Sequence, residues 1–544
     1  MIAHPPLPSL ETSREAGVVF TKEWIVEIIL DLAGYTPDRR LADYIALEPS
    51  AGDGAFLRGM TRRLVESCRA HHSSIADATE AIRAYEIDPS SAADARENIR
   101  AGLIDLGVPP PTATSLANNW IRCEDFLEAS LGFPIADFVI GNPPYIRLEE
   151  IPEAKAEFYR SSYNTMRGRA DIYIAFYQAA MQQLKPGGTC AYICADRWLL
   201  NDYGKALRAF ITSSYNVRFI VEAHDVDAFD SDVSAYPAIT VISNDRQGPV
   251  IVAKALPGIE TADRSQVIDS LRRASSDAII QVGRFKEWFK GDEPWPCSSP
   301  DSLALLKHLE AEFLPLETPT TGTKVGIGVA TGADEVFVVS HQLDIEPDRL
   351  LPLGMGADLQ NGKVNWSGHY LVNPWDRAGL INLDDYPRTA AYLGAHKVQL
   401  SGRNTAIKSP SKWHKTIDRV NHDLLSTQKL YIADIRDRLS PSLDTGKTYP
   451  HHNVYWITSK EWDLRVLGAL LMSEVGEFFV RCYGVRMRGG YFRFQAQYLR
   501  RICVPLPTKI PAQISRQLGS AFDEYNPKMA TKLALQLYGL NKLP

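Results

Sequence analysis

Asp137-Phe-Val-Ile-Gly-Asn-Pro-Pro-Tyr145 is the stretch from which the fold of this chain can be read. The apolar run from Phe138 to Ile140 has the character of a buried strand, and Gly141 ends it ahead of a stiff loop with a polar tip and an aromatic edge. Open α/β sheets bind ligands in the crevice beyond the carboxyl ends of their strands. Pro143 and Pro144 fix φ and remove two backbone donors, so the Asn142 side-chain amide and the Pro143 carbonyl can converge as acceptors. Acceptors beside the flat ring of Tyr145 suit an exocyclic amino group, and the residues fit methyl transfer to a planar amine.

The chain upstream supplies what such a loop needs. Leu47-Glu-Pro-Ser-Ala-Gly-Asp-Gly-Ala-Phe56 follows a short apolar stretch and precedes a helical pattern from Leu57 to Val65. Ser50, Ala51, Gly52 and Gly54 are small enough to let the backbone approach a ligand closely. A second strand, Ile82 to Glu86, ends on an acid able to grip ribose hydroxyls. Then come Cys123-Glu-Asp-Phe126 and the Asn-Pro-Pro-Tyr loop. A glycine-rich turn alone has many explanations, whereas these four features in this order have few.

Together these residues resemble the S-adenosylmethionine-dependent adenine-N6 DNA methyltransferases of the TaqI-like, gamma-ordered type, and the resemblance spans most of the chain. It implies a doubly wound, Rossmann-like α/β methyltransferase domain followed by a mixed α+β target-recognition domain. Val19-Phe-Thr-Lys-Glu-Trp24 resembles the family's N-terminal motif, with Thr21 beside the methionine end of S-adenosyl-L-methionine. Glu48, Pro49, Ser50, Ala51, Gly52, Asp53 and Gly54 resemble the methionine-binding loop. Glu86 resembles the ribose ligand and Ile87 the residue against the adenine ring of the cofactor, while Asp125 and Phe126 resemble the pair holding that adenine by its amino group and face. The resemblance implies that Asn142, Pro143, Pro144 and Tyr145 are the catalytic loop, with Tyr145 and Phe229 against the target base. Simpler roles also fit: Thr21 as a helix N-cap, Glu86 as a capping acid, Phe229 as core.

At 544 residues the chain is long enough for two domains, with 45% apolar and 23% charged residues as in globular proteins. No run approaches the ~20 apolar residues of a membrane span, and the first residues lack a basic segment followed by an apolar core, so neither a membrane partner nor a signal peptide is expected. Seven scattered cysteines argue against a disulfide framework and for a reducing cytoplasm. Cys190 and Cys194 read as buried strand thiols. No second Cys or His pair completes a zinc site, so no metal is expected. The net charge of −6 divides unevenly: from Ser401 onward 22 Lys and Arg face 11 Asp and Glu, a balance of +11, leaving −17 for residues 1–400. Such asymmetry suggests a polyanion partner for the C-terminal part.

The expected organisation is a catalytic domain over residues 1–250, a connector over 251–316 and a DNA target-recognition domain over 317–544. Val217 to Ala223 and Ala238 to Ser243 are expected to finish the sheet. Gly326-Ile-Gly-Val-Ala-Thr-Gly332 and the run Glu335 to Val339 read as strand-turn-strand, resembling the start of the family's recognition domain. Arg486, Arg488 and Arg493, among Tyr483, Tyr491, Phe492 and Phe494, are the candidate DNA contacts, with Arg403, Lys408, Lys412, Trp413 and Lys415 as a second basic stretch. The expected function is site-specific methylation of adenine N6 in double-stranded DNA, the base being flipped out. A companion restriction endonuclease would act separately, since too few residues precede Phe20 for a fused nuclease. Methylation of protein glutamine or of RNA adenine is the alternative, because an amide nitrogen poses the same chemical problem.

Overall fold

The computed structural model describes residues 21–132, 135–230, 236–296, 299–341, 343–484 and 491–544, and the chain divides into two compact units, Met1–Pro300 and Asp301–Pro544. Among the described residues the first unit forms one nine-stranded sheet: β1 (Ala46–Glu48), β2 (Ile82–Glu86), β3 (Ile121–Cys123), β4 (Ala136–Gly141), β5 (Leu184–Ala195), β6 (Asn216–Glu222), β7 (Pro237–Ser243), β8 (Val250–Ala255) and β9 (Ile280–Phe285). Their spatial order is β3-β2-β1-β4-β5-β7-β6-β8-β9. β3, β2, β1, β4 and β5 run parallel, and β7 lies antiparallel between β5 and β6.

Alternation along the strands explains why both faces are covered. Ala46, Ile82, Phe138, Ile140, Ala191 and Ile193 join one apolar core, beneath α1 (Glu23–Ala33), α2 (Ala55–Ala70), α3 (Pro89–Asp105) and α4 (Pro110–Trp120). Leu47, Tyr85, Val139, Cys190, Tyr192 and Cys194 point the other way, into a core that includes α5 (Phe126–Ala129), α6 (Glu153–Ser162), α7 (Tyr173–Gln183) and α8 (Lys205–Ser214). Strands buried on both faces carry continuous apolar runs, which is how β4 and β5 read in the sequence. The chain lays down β1, β2 and β3 in one direction, then returns to place β4 and β5 on the other side of β1. This reversal opens a crevice at the carboxyl ends of β1 and β4.

Three expectations need correction. Residues 251–285 are not a connector: β8 pairs in parallel with β6, and β9 pairs antiparallel with β8, so β6 and β7 do not finish the sheet. The apolar run from Val250 to Ala253 carried that signal, since a strand buried by both neighbours needs it. The boundary between units falls at Pro300, and the helix Pro300–Glu312 opens the second. The segment after Gly326 is also no hairpin: Lys324–Ile327 pairs with Val454–Thr458, and Val338–Val339 pairs with Tyr370–Val372. A one-turn helix, Asp334–Phe337, lies between them. Only Gly332 of these glycines has a positive φ, 75°. Gly326 and Gly328 instead make room, because a Cβ there would strike the Trp456 ring and the His451 carbonyl.

The second unit is mixed α+β. One six-stranded sheet runs in the order Lys324–Ile327, Val454–Thr458, Lys429–Ala433, Ser442–Asp444, Lys363–Val364 and Leu359–Gln360, and helices Leu464–Leu471, Glu474–Tyr483, Ala512–Asp523 and Pro527–Leu537 pack together after it. Among the described residues no helix is long and apolar enough to cross a membrane.

Candidate active site

Two loops meet at the crevice. The first leaves β1 at Glu48 and turns into α2 through Gly52 (φ 54°) and Gly54 (φ 89°), conformations that L side chains resist. The second leaves β4 at Gly141, where an added Cβ would lie 3.3 Å from Pro49 Cδ. Ser50 Oγ donates to the Asn142 carbonyl at 2.8 Å, tying the loops together. Asn142 Nδ2 donates to Thr21 Oγ1 at 3.2 Å, so the side-chain amide is oriented from the segment preceding α1. Thr21 is buried, and the N-cap position of α1 belongs to Lys22, so Thr21 is not the cap. Val19 and Phe20 of that motif lie outside the described residues.

Glu86 closes the other side. Its Oε2 accepts the Gly52 amide at 2.8 Å and its Oε1 the Asp88 amide at 2.9 Å, while Asp88 is the residue that caps α3. Glu86 therefore clamps the glycine loop and is not a capping acid. Ile87 beside it is 36% exposed, leaving an apolar face available to a flat ring. Glu48 is buried, and its Oε2 has no hydrogen-bond partner. Burial drives its carboxyl well above the ordinary range, and the charges of Asp53 and Glu86 push the same way against Arg58 and the Leu57 amide. Burial also raises Glu86, with the Asp88 and Gly52 amides partly offsetting it. A cationic ligand fits this set of acids, because it would supply the partner that the buried oxygen of Glu48 lacks.

The acids predict a pH dependence. A carboxyl raised on folding holds its proton more tightly in the native chain, so it favours folding at low pH. That contribution is lost as pH climbs from the ordinary carboxylate range through the raised value. A bound cationic ligand favours the ionised form, so its affinity should rise with pH across the same window, with protons released. Titration calorimetry in buffers of different ionisation enthalpy measures that release, and Glu48→Gln should diminish it. Uptake of protons, or release unchanged in the variant, would contradict the assignment.

Asp125 Oδ1 accepts the Leu127 amide at 3.0 Å, and Oδ2 accepts Lys155 Nζ at 2.8 Å and the Tyr159 hydroxyl at 2.6 Å. Lys155 and Tyr159 are buried on α6, and no local motif marked them. Phe126 is 2% exposed, with its ring 5.5 Å from those of Tyr85 and Phe176, so its face is already covered. Phe229 is 6% exposed and belongs to the core; a bridge to Thr21 and the bond from the Lys22 amide to the Ala228 carbonyl tie it to the segment before α1. Thr21 also receives Asn142 Nδ2, so Phe229 neighbours the residue that orients the catalytic loop. Tyr145 is half-buried, edge-on to Tyr173 at 6.3 Å, and its hydroxyl lacks a partner. Burial keeps that phenol protonated.

In the second unit, Arg486 and Arg488 lie outside the described residues. Arg493 is paired with Asp434, and Arg403 binds the carbonyls of Thr331, Trp413 and Lys415, so both guanidinium groups hold the fold. Lys408 and Lys412 remain exposed.

The Eco57I restriction-modification methylase family model matches residues 109–229. The chain is 42% identical to the type II methyltransferase M.XhoI of Xanthomonas vasicola over 97% of its own length and 98% of the relative's. It is 41% identical to the type II methyltransferase M.PaeR7I of Pseudomonas aeruginosa, covering 96% of this chain and 92% of that protein. The structure of the type IIL restriction-modification enzyme MmeI in complex with DNA aligns with a TM-score of 0.59 and 12% identity, over 95% of this chain and 72% of that one, a likeness of fold.

Proposed function

The chain belongs to the type II restriction-modification methyltransferases, and from that premise we propose that it methylates N6 of a flipped-out adenine at a specific site in double-stranded DNA. It is a DNA methyltransferase whose cofactor is S-adenosyl-L-methionine. The observation that carries the reading of methyl transfer to an exocyclic amine is the Asn142 to Tyr145 loop, bonded through Ser50 to the glycine loop and through Thr21 to the N-terminal segment.

An adenine N6 amine is a poor nucleophile because its lone pair is delocalised into the ring. Positive charge develops on this nitrogen as it attacks. The Asn142 Oδ1 and Pro143 carbonyl accept its two N–H groups, which favours a more tetrahedral nitrogen and stabilises that charge. The bound cofactor supplies an electrophilic methyl on a cationic sulfur. Glu48 and Glu86 balance and orient positive charge and ribose, and Ile87 covers a ring face. Positioning is the main contribution of the chain, and no covalent intermediate with it is required. Cys190 and Cys194 fit that account, since both are buried in β5 and burial pushes their thiols up. Tyr145 stacks on the extruded base and partly offsets the cost of unstacking. Phe229, bridged to Thr21, is the proposed second aromatic contact.

The second unit is proposed to read the target sequence, with a companion endonuclease acting as a separate protein. Its exposed Lys408 and Lys412 are the proposed phosphate contacts. Alanine at either should weaken binding alike for cognate and unrelated duplexes, and reduce the salt slope of log K by about 1. Titrations at several salt concentrations measure both, and an unchanged slope would remove these lysines from the interface.

The test of the reaction is incubation of purified protein with unmethylated plasmid and labelled cofactor, followed by hydrolysis to nucleosides. Label in N6-methyladenine supports the proposal. Label in N4-methylcytosine would overturn the base assignment, because that amine fits the same acceptors.

A further inference from the structure

Away from the crevice, the second unit gathers two adjacent histidines and an acid from distant parts of the sequence. Asp334 Oδ2 lies 3.0 Å from His451 Nε2 and 3.6 Å from His452 Nδ1, and the three donor atoms fall within 4.8 Å of one another. A tetrahedral zinc ion with bonds of ~2.0–2.1 Å separates its ligand atoms by roughly 3.3 Å, so small side-chain shifts suffice. We propose that Asp334, His451 and His452 form a binding site for a divalent transition-metal ion, zinc being the best match to two imidazoles and one carboxylate.

The surroundings support a site and not only an ion pair. His451 Nδ1 lies 2.9 Å from Asn453 Oδ1, an acceptor that fixes the proton on Nδ1 and turns Nε2 toward Asp334. The ring thus faces oxygen acceptors at both nitrogens. One nitrogen needs only its own proton, and a cation at Nε2 satisfies the other contact while bridging to the carboxylate. Asp334 Oδ1 is held by the Thr331 hydroxyl, leaving Oδ2 toward the histidines. His451 is buried, whereas the His452 side chain is 46% exposed, so the ion would keep a solvent-facing position for water.

Such an ion would close a specific part of the fold. Asp334 opens a single helical turn after the glycine-rich loop, and His451 forms a bridge with Val329. The Val329 amide bonds to Pro450 and the Gly328 amide to Val454. Coordination would staple the loop 328–334 to the turn 450–454, independently of the methyl-transfer chemistry.

The experiment uses the full chain, stripped with a chelator and dialysed, then titrated with zinc alone by equilibrium dialysis and with cobalt(II) by visible absorption. The proposal predicts one saturable equivalent, a tetrahedral cobalt spectrum and a raised Tm on zinc addition. His452→Gln and Asp334→Asn should each weaken zinc binding by about ten-fold or more. His452 is exposed, so its variant should keep the circular dichroism of the parent. Absence of saturable binding, or affinity unchanged in either variant, overturns the site.

Discussion

Asn142→Ala should lower kcat by roughly 10²–10³-fold, the loss seen when one preorganised polar group aimed at developing charge is removed. Cofactor affinity should change little. The backbone carbonyl of residue 142 stays in place to receive Ser50, so the glycine loop keeps its tether. Buried Thr21 loses one partner, and Glu48 and Glu86 are untouched. Single-turnover methyl transfer at saturating cofactor and DNA isolates the chemical step, while calorimetry reports cofactor binding. A variant with normal turnover would remove the side-chain amide from catalysis, and one that merely lost cofactor would assign Asn142 to binding.

Lys429→Met should destabilise the second unit by about 3–5 kcal/mol, the typical cost of stranding one partner of a buried ion pair. Lys429 Nζ lies 2.6 Å from Asp444 Oδ2, with side chains 0% and 3% exposed, and also donates to the Leu425 and Thr427 carbonyls. The pair joins neighbouring antiparallel strands of the six-stranded sheet at the register Lys429↔Asp444. Removing the ammonium leaves a buried carboxylate with only the Gly446 and Lys447 amides and the Thr448 hydroxyl. Adding Asp444→Asn should restore most of the loss, because a neutral amide needs no counter-charge. Chemical denaturation followed by fluorescence checks both variants, and additive losses in the double variant would refute a coupled pair.

The catalytic half was legible because its chemistry is local. Strands buried on both faces carry apolar runs, and the loops that follow them carry small or conformationally restricted residues, so β1, β2, β4 and their loops could be placed from short segments. What sequence reading missed depends on distant partners. Lys155 and Tyr159 reach Asp125 from α6, some thirty residues on, and nothing nearby marks them. β8 and β9 looked like a connector because polar stretches surround their short apolar runs. The second unit was least legible: its strands of two to five residues pair across long separations, and Gly326 and Gly328 serve packing against Trp456 and His451 where a hairpin turn was expected. Arg493 shows the same limit, since its pairing with Asp434, 59 residues upstream, has no local mark in the sequence.

The most direct test of the account is single-molecule sequencing of plasmid DNA from a host that lacks its own methylases and expresses this protein, beside an Asn142→Ala control. The account predicts N6-methyladenine at one sequence motif, filled in the parent and nearly empty in the control. Unmodified DNA from well-expressed, folded, cofactor-binding protein would contradict it, and so would modification that persists unchanged in the control.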